Sequence, residues 1–159
     1  AIIYNIGYIM PKTFSQINIH LVFSVKNRET LIPAAIEEEL RKYIAGIIRN
    51  KNQKLLAINS MPDHVHIFVS INPDICVADL VREIKKHSTD FINGKNILPG
   101  KFYWQEGYGA FSYSNSQIPA VAGYIENQKE HHKVRTFQEE YKKMLDDFNI
   151  EYDERYLFK

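Results

Sequence analysis

The sequence predicts an α+β domain of the ferredoxin-like split βαβ type, an antiparallel sheet with helices on one face plus further helices at the C-terminal end. Two observations lead there. Segments with alternating apolar residues and segments with helically spaced apolar residues follow one another in the order β-α-β-β-α-β, and amphipathic helical segments close the chain. Ile17, Ile19, Leu21, Phe23 and Val25 alternate with Asn18, His20 and Ser24, as in a strand with one face buried. Pro33 opens a helix whose Ile36, Leu40, Tyr43, Ile44, Ile47 and Ile48 share one face, and Asn50-Lys51-Asn52 closes it. A second strand, about 54–60, leads through Met61-Pro62-Asp63 into a third that starts at His64. Val77, Leu80, Val81, Ile84, Phe91 and Ile92 mark the next helix, which carries Arg82, Lys85 and Lys86 outward and stops near Asn93-Gly94. The aromatic, glycine-punctuated segment 102–114 reads as one or two short strands. Residues 116–133 read as one helix with Pro119 in its first turn, and Thr136 with Glu139 forms a capping box for a last helix bearing Phe137, Tyr141, Met144, Leu145 and Phe148.

Residues 10–159 read as a single domain, with 1–9 as a leader upstream of a start at Met10. An apolar content of 45%, with ten Tyr and nine Phe, is ample for a buried core. Cys76 is the only cysteine, which rules out an intramolecular disulfide and a cysteine zinc knuckle and fits a reducing, cytoplasmic setting. No stretch approaches the roughly 20 apolar residues that span a bilayer, so no membrane partner is expected. The net charge is only +1, but it is uneven: residues 136–159 carry four basic and seven acidic side chains, which leaves the preceding body mildly basic. Such a body is compatible with nucleic acid without demanding it.

The chemistry-bearing residues fall in two places. On a strand His64 and His66 point the same way, roughly 7 Å apart at Cα, while Val65, Ile67 and Val69 point into a core, so both imidazoles can share one metal ion. On the later helix Tyr124 and Gln128 stand at i and i+4 and present a phenol and an amide to one point. Gly123, costly in a helix interior, is expected where another backbone or a ligand comes close. Two imidazoles and an amide oxygen leave coordination positions open and suit Mg²⁺ or Mn²⁺ holding phosphate oxygens, while His131 and His132 could add nitrogen for zinc. A phenol, with a pKa of about 10, is both a usable nucleophile and a competent leaving group at phosphorus.

Met61-Pro62-Asp63-His64-Val65-His66, with Tyr124-Ile125-Glu126-Asn127-Gln128-Lys129-Glu130-His131-His132-Lys133 downstream, resembles the single-tyrosine HUH transposases of the insertion-sequence 200/605 family. His20-Leu21-Val22-Phe23-Ser24-Val25-Lys26-Asn27-Arg28 and Trp104-Gln105-Glu106-Gly107-Tyr108-Gly109-Ala110-Phe111-Ser112 extend the resemblance, which covers about 13–148. It implies His64, His66 and Gln128 as metal ligands and Tyr124 as the nucleophile of a 5′-phosphotyrosine link. It also implies hairpin-bearing single-stranded DNA as substrate, strand transfer without a nucleotide cofactor, and a homodimer whose active sites are shared between subunits. Lys26, Arg28, Lys85 and Lys86 are candidate phosphate contacts, and Tyr103, Trp104, Tyr108 and Phe111 candidate stacking surfaces. Two other readings stay open. One is a non-catalytic nucleic-acid module of the same fold; the other is a metal-dependent phosphoesterase using His64, His66 and His131 or His132 around a water.

Overall fold

Strand alternation decides the architecture. The computed structural model describes residues 13–159, so the expected leader and the start at Met10 lie outside it. Strands β1 (Asn18–Ser24), β2 (Lys54–Met61), β3 (His64–Ser70) and β4 (Gly109–Tyr113) form one antiparallel sheet in the order β2-β3-β1-β4, the split βαβ order. Leu21, Phe23, Val65, Ile67 and Val69 project from one face onto Leu40, Ile44 and Ile48 of α1 (Glu37–Asn50) and Leu80, Ile84 and Ile92 of α2 (Val77–Gly94), the main core.

The other face is covered as well. Val22 and Phe111 pack against Phe137, Tyr141 and Leu145 of the last helix, and Ala57 and Phe68 pack against Val121 and Ile125 of the tyrosine-bearing helix. The alternate residues of β1 are therefore not solvated, contrary to the half-buried pattern: Asn18, His20 and Ser24 are all at most 2% exposed. Among the described residues no helix is long and apolar enough to cross a membrane.

The helix expected over 116–133 is divided. It becomes α3 (Ile118–Glu126) and a single turn α4 (Gln128–His131), with Asn127 between them at ψ 20°. The cause is Asn59, whose Nδ2 donates to the carbonyls of Ile125 (3.0 Å) and Glu126 (3.2 Å), acceptors that a continuous helix would use itself. Asn59 reaches them because β2 carries a bulge between Leu55 and Ala57 that shifts the later residues, Asn59 opposite His66 included, onto the histidine face. The last helix, α5 (Phe137–Asp147), starts on the expected capping box, with Thr136 and Glu139 bonded reciprocally.

Two glycines give opposite predictions. A Cβ at Gly109 would stand 2.8 Å from Tyr141 Cε2 and 2.9 Å from Val22 Cγ1, so Gly109→Ala is expected to destabilise the protein by about 1–3 kcal/mol. A Cβ at Gly123 would meet nothing within 4 Å among the described residues, against the close backbone approach expected there. Gly123→Ala should therefore stabilise α3 by about 0.5–1 kcal/mol. Urea unfolding of the two variants checks both signs.

Candidate active site

The site lies between the sheet and the helices of its second face. Neighbouring β1 and β3 place His20, Val22, His64 and His66 on that face, in a register that sets Val22 opposite His66 and Ser24 opposite His64. His64 and His66 are fully buried, and each ring is fixed through Nδ1. His64 Nδ1 lies 2.6 Å from Asp63 Oδ1, and Asp63 is held in turn by Arg28, 2.9 Å away. Arg28 aims its guanidinium there from a left-handed backbone conformation, φ 56°. His66 Nδ1 lies 2.8 Å from Nε2 of His20. With both Nδ1 atoms engaged, the Nε2 atoms of His64 and His66 are left buried without a hydrogen-bond partner among the described residues.

Residues from the C-terminal helices converge on those two nitrogens. Glu140, on the inward face of α5, accepts a short hydrogen bond from the Tyr124 hydroxyl and another from Gln128 Nε2 at 3.2 Å. The same carboxylate lies 3.3 Å from His66 Nε2 and 2.9 Å from His132 Nε2. Gln128 Oε1 lies 3.0 Å from His132 Nε2. His64, His66, His132 and Glu140 bring their ligand atoms within 4.8 Å of one another. Phe137 stacks on His64 at 4.2 Å and locks that ring from the α5 side. Imidazole nitrogens and a carboxylate, two of the nitrogens orphaned, fit a divalent metal ion of hard or borderline character.

The electrostatics agree with that chemistry. Burial pulls the His64 pKa down to about 4 against the opposing pull of Asp63, so at neutral pH its Nε2 carries a free lone pair. Burial and the neighbouring His66 keep His20 well below its ordinary value, so it can accept the Nδ1 proton of His66. Burial and the Glu140 contact push the Tyr124 phenol up, which keeps it protonated. Burial would raise Glu140, but His132 and the adjacent His66 outweigh it and keep the carboxylate ionised.

Of the residues singled out in the sequence, His64, His66, Tyr124 and Gln128 come together. His132 joins them, while His131 is exposed and its ring lies 4.8 Å from that of Tyr124. Gln128 is fully buried. Lys85, Lys86, Trp104 and Tyr108 line a separate groove of about 520 Å³ beside α2. Three of the candidate DNA contacts are occupied otherwise. Arg28 is paired with Asp63, the Trp104 indole N–H donates to Ser88 Oγ, and the Lys85 ammonium donates to the carbonyls of Gln105, Glu106 and Gly107. Burial lowers the Lys85 pKa to about 8. Phe111 is buried, whereas Tyr103, Lys26 and Lys86 are exposed. Sequence reasoning missed Glu140, Asn59 and His20. The signal for Glu140 was a carboxylate one position before Tyr141 on the apolar stripe of its helix.

A profile of the family described as "Transposase IS200 like" matches residues 13–128. The chain belongs to that family. It is similar to the ISDra2 transposase TnpA of Deinococcus radiodurans, 25% identical over 118 residues that cover 71% of this chain and 84% of that protein. Its fold is similar to the crystal structure of a chain described as a transposase of Deinococcus radiodurans, with a TM-score of 0.59, 22% identity, and coverage of 75% of this chain and 95% of that one. It is also similar to a REP-associated tyrosine transposase bound to a REP hairpin, with a TM-score of 0.58, 18% identity, and coverage of 77% and 73%. The sheet with its helices is thus the fold of these transposases.

The depressed histidines give a pH signature. An unfolded histidine, with a pKa of about 6.5, takes up a proton before folded His64 does, so stability is full above that value and is lost as pH falls toward about 4. His20 acts in the same direction. The melting temperature of the metal-free protein is expected to drop by several degrees between pH 7.5 and pH 5; equal melting temperatures would contradict the assignment of neutral, buried imidazoles.

Proposed function

We propose that this transposase cuts and rejoins single-stranded DNA at hairpin-bearing ends through a 5′-phosphotyrosine at Tyr124. One observation carries the reading: the Tyr124 hydroxyl, the buried His66 imidazole and the half-buried His132 imidazole meet at the same carboxylate, Glu140. The nucleophile and the candidate metal ligands thus face a single point.

His64 and His66 offer Nε2 lone pairs to a divalent ion, Mg²⁺ or Mn²⁺, with Gln128 as the third ligand that the family resemblance implies. When bound, that ion supplies Lewis-acid polarisation of the scissile phosphate and stabilises the departing 3′ oxygen. Asp63 and His20 hold the two rings in the tautomer that keeps Nε2 unprotonated. Tyr124 Oη attacks phosphorus while its proton passes to Glu140; the P–O3′ bond breaks and the 3′ oxygen leaves, taking a proton from water. Attack by a 3′ hydroxyl on the phosphotyrosine reverses the step and joins strands without a nucleotide cofactor. A cavity of about 710 Å³, lined by Tyr124, Glu140, Tyr113 and Arg135 among others, gives the strand a way in with the Arg135 guanidinium beside it, Lys143 on the same wall being paired with Asp147.

Lys26 and Lys86, both exposed, are the free phosphate contacts, with Tyr108 and Tyr103 as aromatic neighbours of the α2 groove. The hairpin borne by the REP-associated relative supports a folded DNA partner for this chain too. A homodimer would bring two ends together. The tie of α3 to the sheet of the same chain through Asn59 supports a dimer in which each Tyr124 serves its own histidines, with the shared arrangement that the family resemblance implies as the alternative.

Lys85 and Lys86 separate structure from binding. Lys86→Ala should leave the melting temperature unchanged and reduce the salt slope of single-strand binding by about 0.7. Lys85→Ala removes three hydrogen bonds, one of them to the carbonyl of buried Gln105, and should cost about 1 kcal/mol of stability. Thermal melts and salt-dependent anisotropy check the pair.

The function is tested with 5′- and 3′-labelled single-stranded DNA from the flanking genomic sequence, incubated with Mg²⁺ or Mn²⁺ and resolved on a denaturing gel. The expected result is a covalent adduct carrying the downstream 5′ end, abolished by Tyr124→Phe and by His64→Ala. Cleavage without an adduct would move the reading to a phosphoesterase, and binding without either to a non-catalytic module.

A further inference from the structure

We propose that the metal site of this chain takes His132 from the turn after α4 and Glu140 from α5 beside His64 and His66, in place of the Gln128 that the family resemblance implies, and so selects a borderline ion of the Mn²⁺ or Zn²⁺ type over Mg²⁺. The inference rests on the reading that His64 and His66 hold a divalent ion.

The two orphaned nitrogens come first. His64 Nε2 and His66 Nε2 are sealed from water and have no hydrogen-bond partner among the described residues, an arrangement that is costly unless an electron-pair acceptor sits between them. Their Nδ1 atoms are committed to Asp63 and His20, which leaves the lone pairs at Nε2 and aimed inward.

What faces those lone pairs decides the ligand set. His66 Nε2 is 3.3 Å from one Glu140 oxygen, and His132 Nε2 is 2.9 Å from the other. All four groups have ligand atoms within 4.8 Å of one another. Bonds of about 2.0–2.1 Å to a tetrahedral ion place neighbouring ligand atoms about 3.3 Å apart, so small rotations bring this set onto one centre. Glu140 is 7% exposed on a helix face otherwise made of Phe137, Tyr141 and Leu145, where an apolar residue would pack without the cost of burying a charge. Coordination accounts for a carboxylate in that place. One carboxylate oxygen can bind the ion while the other keeps the Tyr124 phenol, which ties the nucleophile to the metal centre. Gln128 contacts both added ligands, with Oε1 at His132 and Nε2 at Glu140, and so also steadies them.

Three imidazoles and a carboxylate form a nitrogen-rich set. Mg²⁺ prefers an octahedron of oxygens, whereas imidazole suits the borderline ions, so the donor set favours the latter.

The test uses the full chain without DNA. Titration calorimetry with MnCl₂ and MgCl₂ measures affinity, and the visible absorption of Co²⁺ added to the metal-free protein measures coordination. We expect one ion per chain, Mn²⁺ bound at least about tenfold tighter than Mg²⁺, and an intense Co²⁺ band of low coordination number. Glu140→Gln and His132→Gln should each weaken Mn²⁺ binding by at least about tenfold and alter the Co²⁺ band. Circular dichroism confirms that each variant is folded, and the partly exposed His132 keeps the test open if Glu140→Gln unfolds. Wild-type Mn²⁺ affinity and an unchanged Co²⁺ band in both folded variants, with binding lost in His64→Ala, would overturn the inference and leave the phosphotyrosine reading intact. Equal affinity for Mn²⁺ and Mg²⁺ would overturn the selectivity.

Discussion

Because α3 and α5 cover the face of the sheet that α1 and α2 leave open, the polar side chains beneath them, Asn18, His20, Ser24, His64 and His66, are sealed from water and must find their partners inside the protein. The site follows from that requirement. Asn18 reaches the Tyr113 carbonyl, Ser24 donates to Gln105, His20 meets His66, and Asp63 meets His64. After these pairs form, two imidazole nitrogens and one carboxylate remain beside a phenol. A sheet open on that side would hydrate the same groups and leave them free to rotate; the cover makes them rigid and gives their charges a medium in which contacts are strong.

The Glu140 carboxylate joins the parts supplied by different elements. Tyr124 comes from α3, Gln128 from α4, His132 from the turn after it and His66 from β3, and all four touch Glu140. Its helix is fixed independently of the site, by the Thr136–Glu139 capping box and by Tyr141 and Leu145 in the apolar layer. The site therefore rests on packing remote from the chemistry, as preorganised sites do. Gly109 belongs to the same support, since only a residue without a side chain lets Tyr141 come so near β4.

Much of this was legible in the sequence because it is local. Period-2 alternation found β1, β2 and β3, helical spacing found α1 and α2, and the capping box found the start of α5. The His64, His66, Tyr124 and Gln128 constellation was readable as a pattern and carried the resemblance to the family that the comparisons then showed. The misreadings are all tertiary. No local pattern says that a second helical layer will bury His20, or that Asn59 will cross a bulge to divide the 116–133 helix. Equally, nothing local says that Lys85 will spend its ammonium on three carbonyls or that Trp104 will turn inward to Ser88. Glu140 is the instructive miss: a charged residue on an apolar helical stripe marks either a packing fault or a functional group, and here it is the centre of the site.

The central claim is that one chain gathers the complete catalytic set, with its own Tyr124 facing its own histidines. Mixing Tyr124→Phe with His64→Ala protein and assaying covalent DNA adducts addresses it directly, because a site shared between subunits would be rebuilt in the mixed dimer. The account predicts no adduct from the mixture under conditions where the wild-type protein forms one; an adduct recovered on mixing would contradict it.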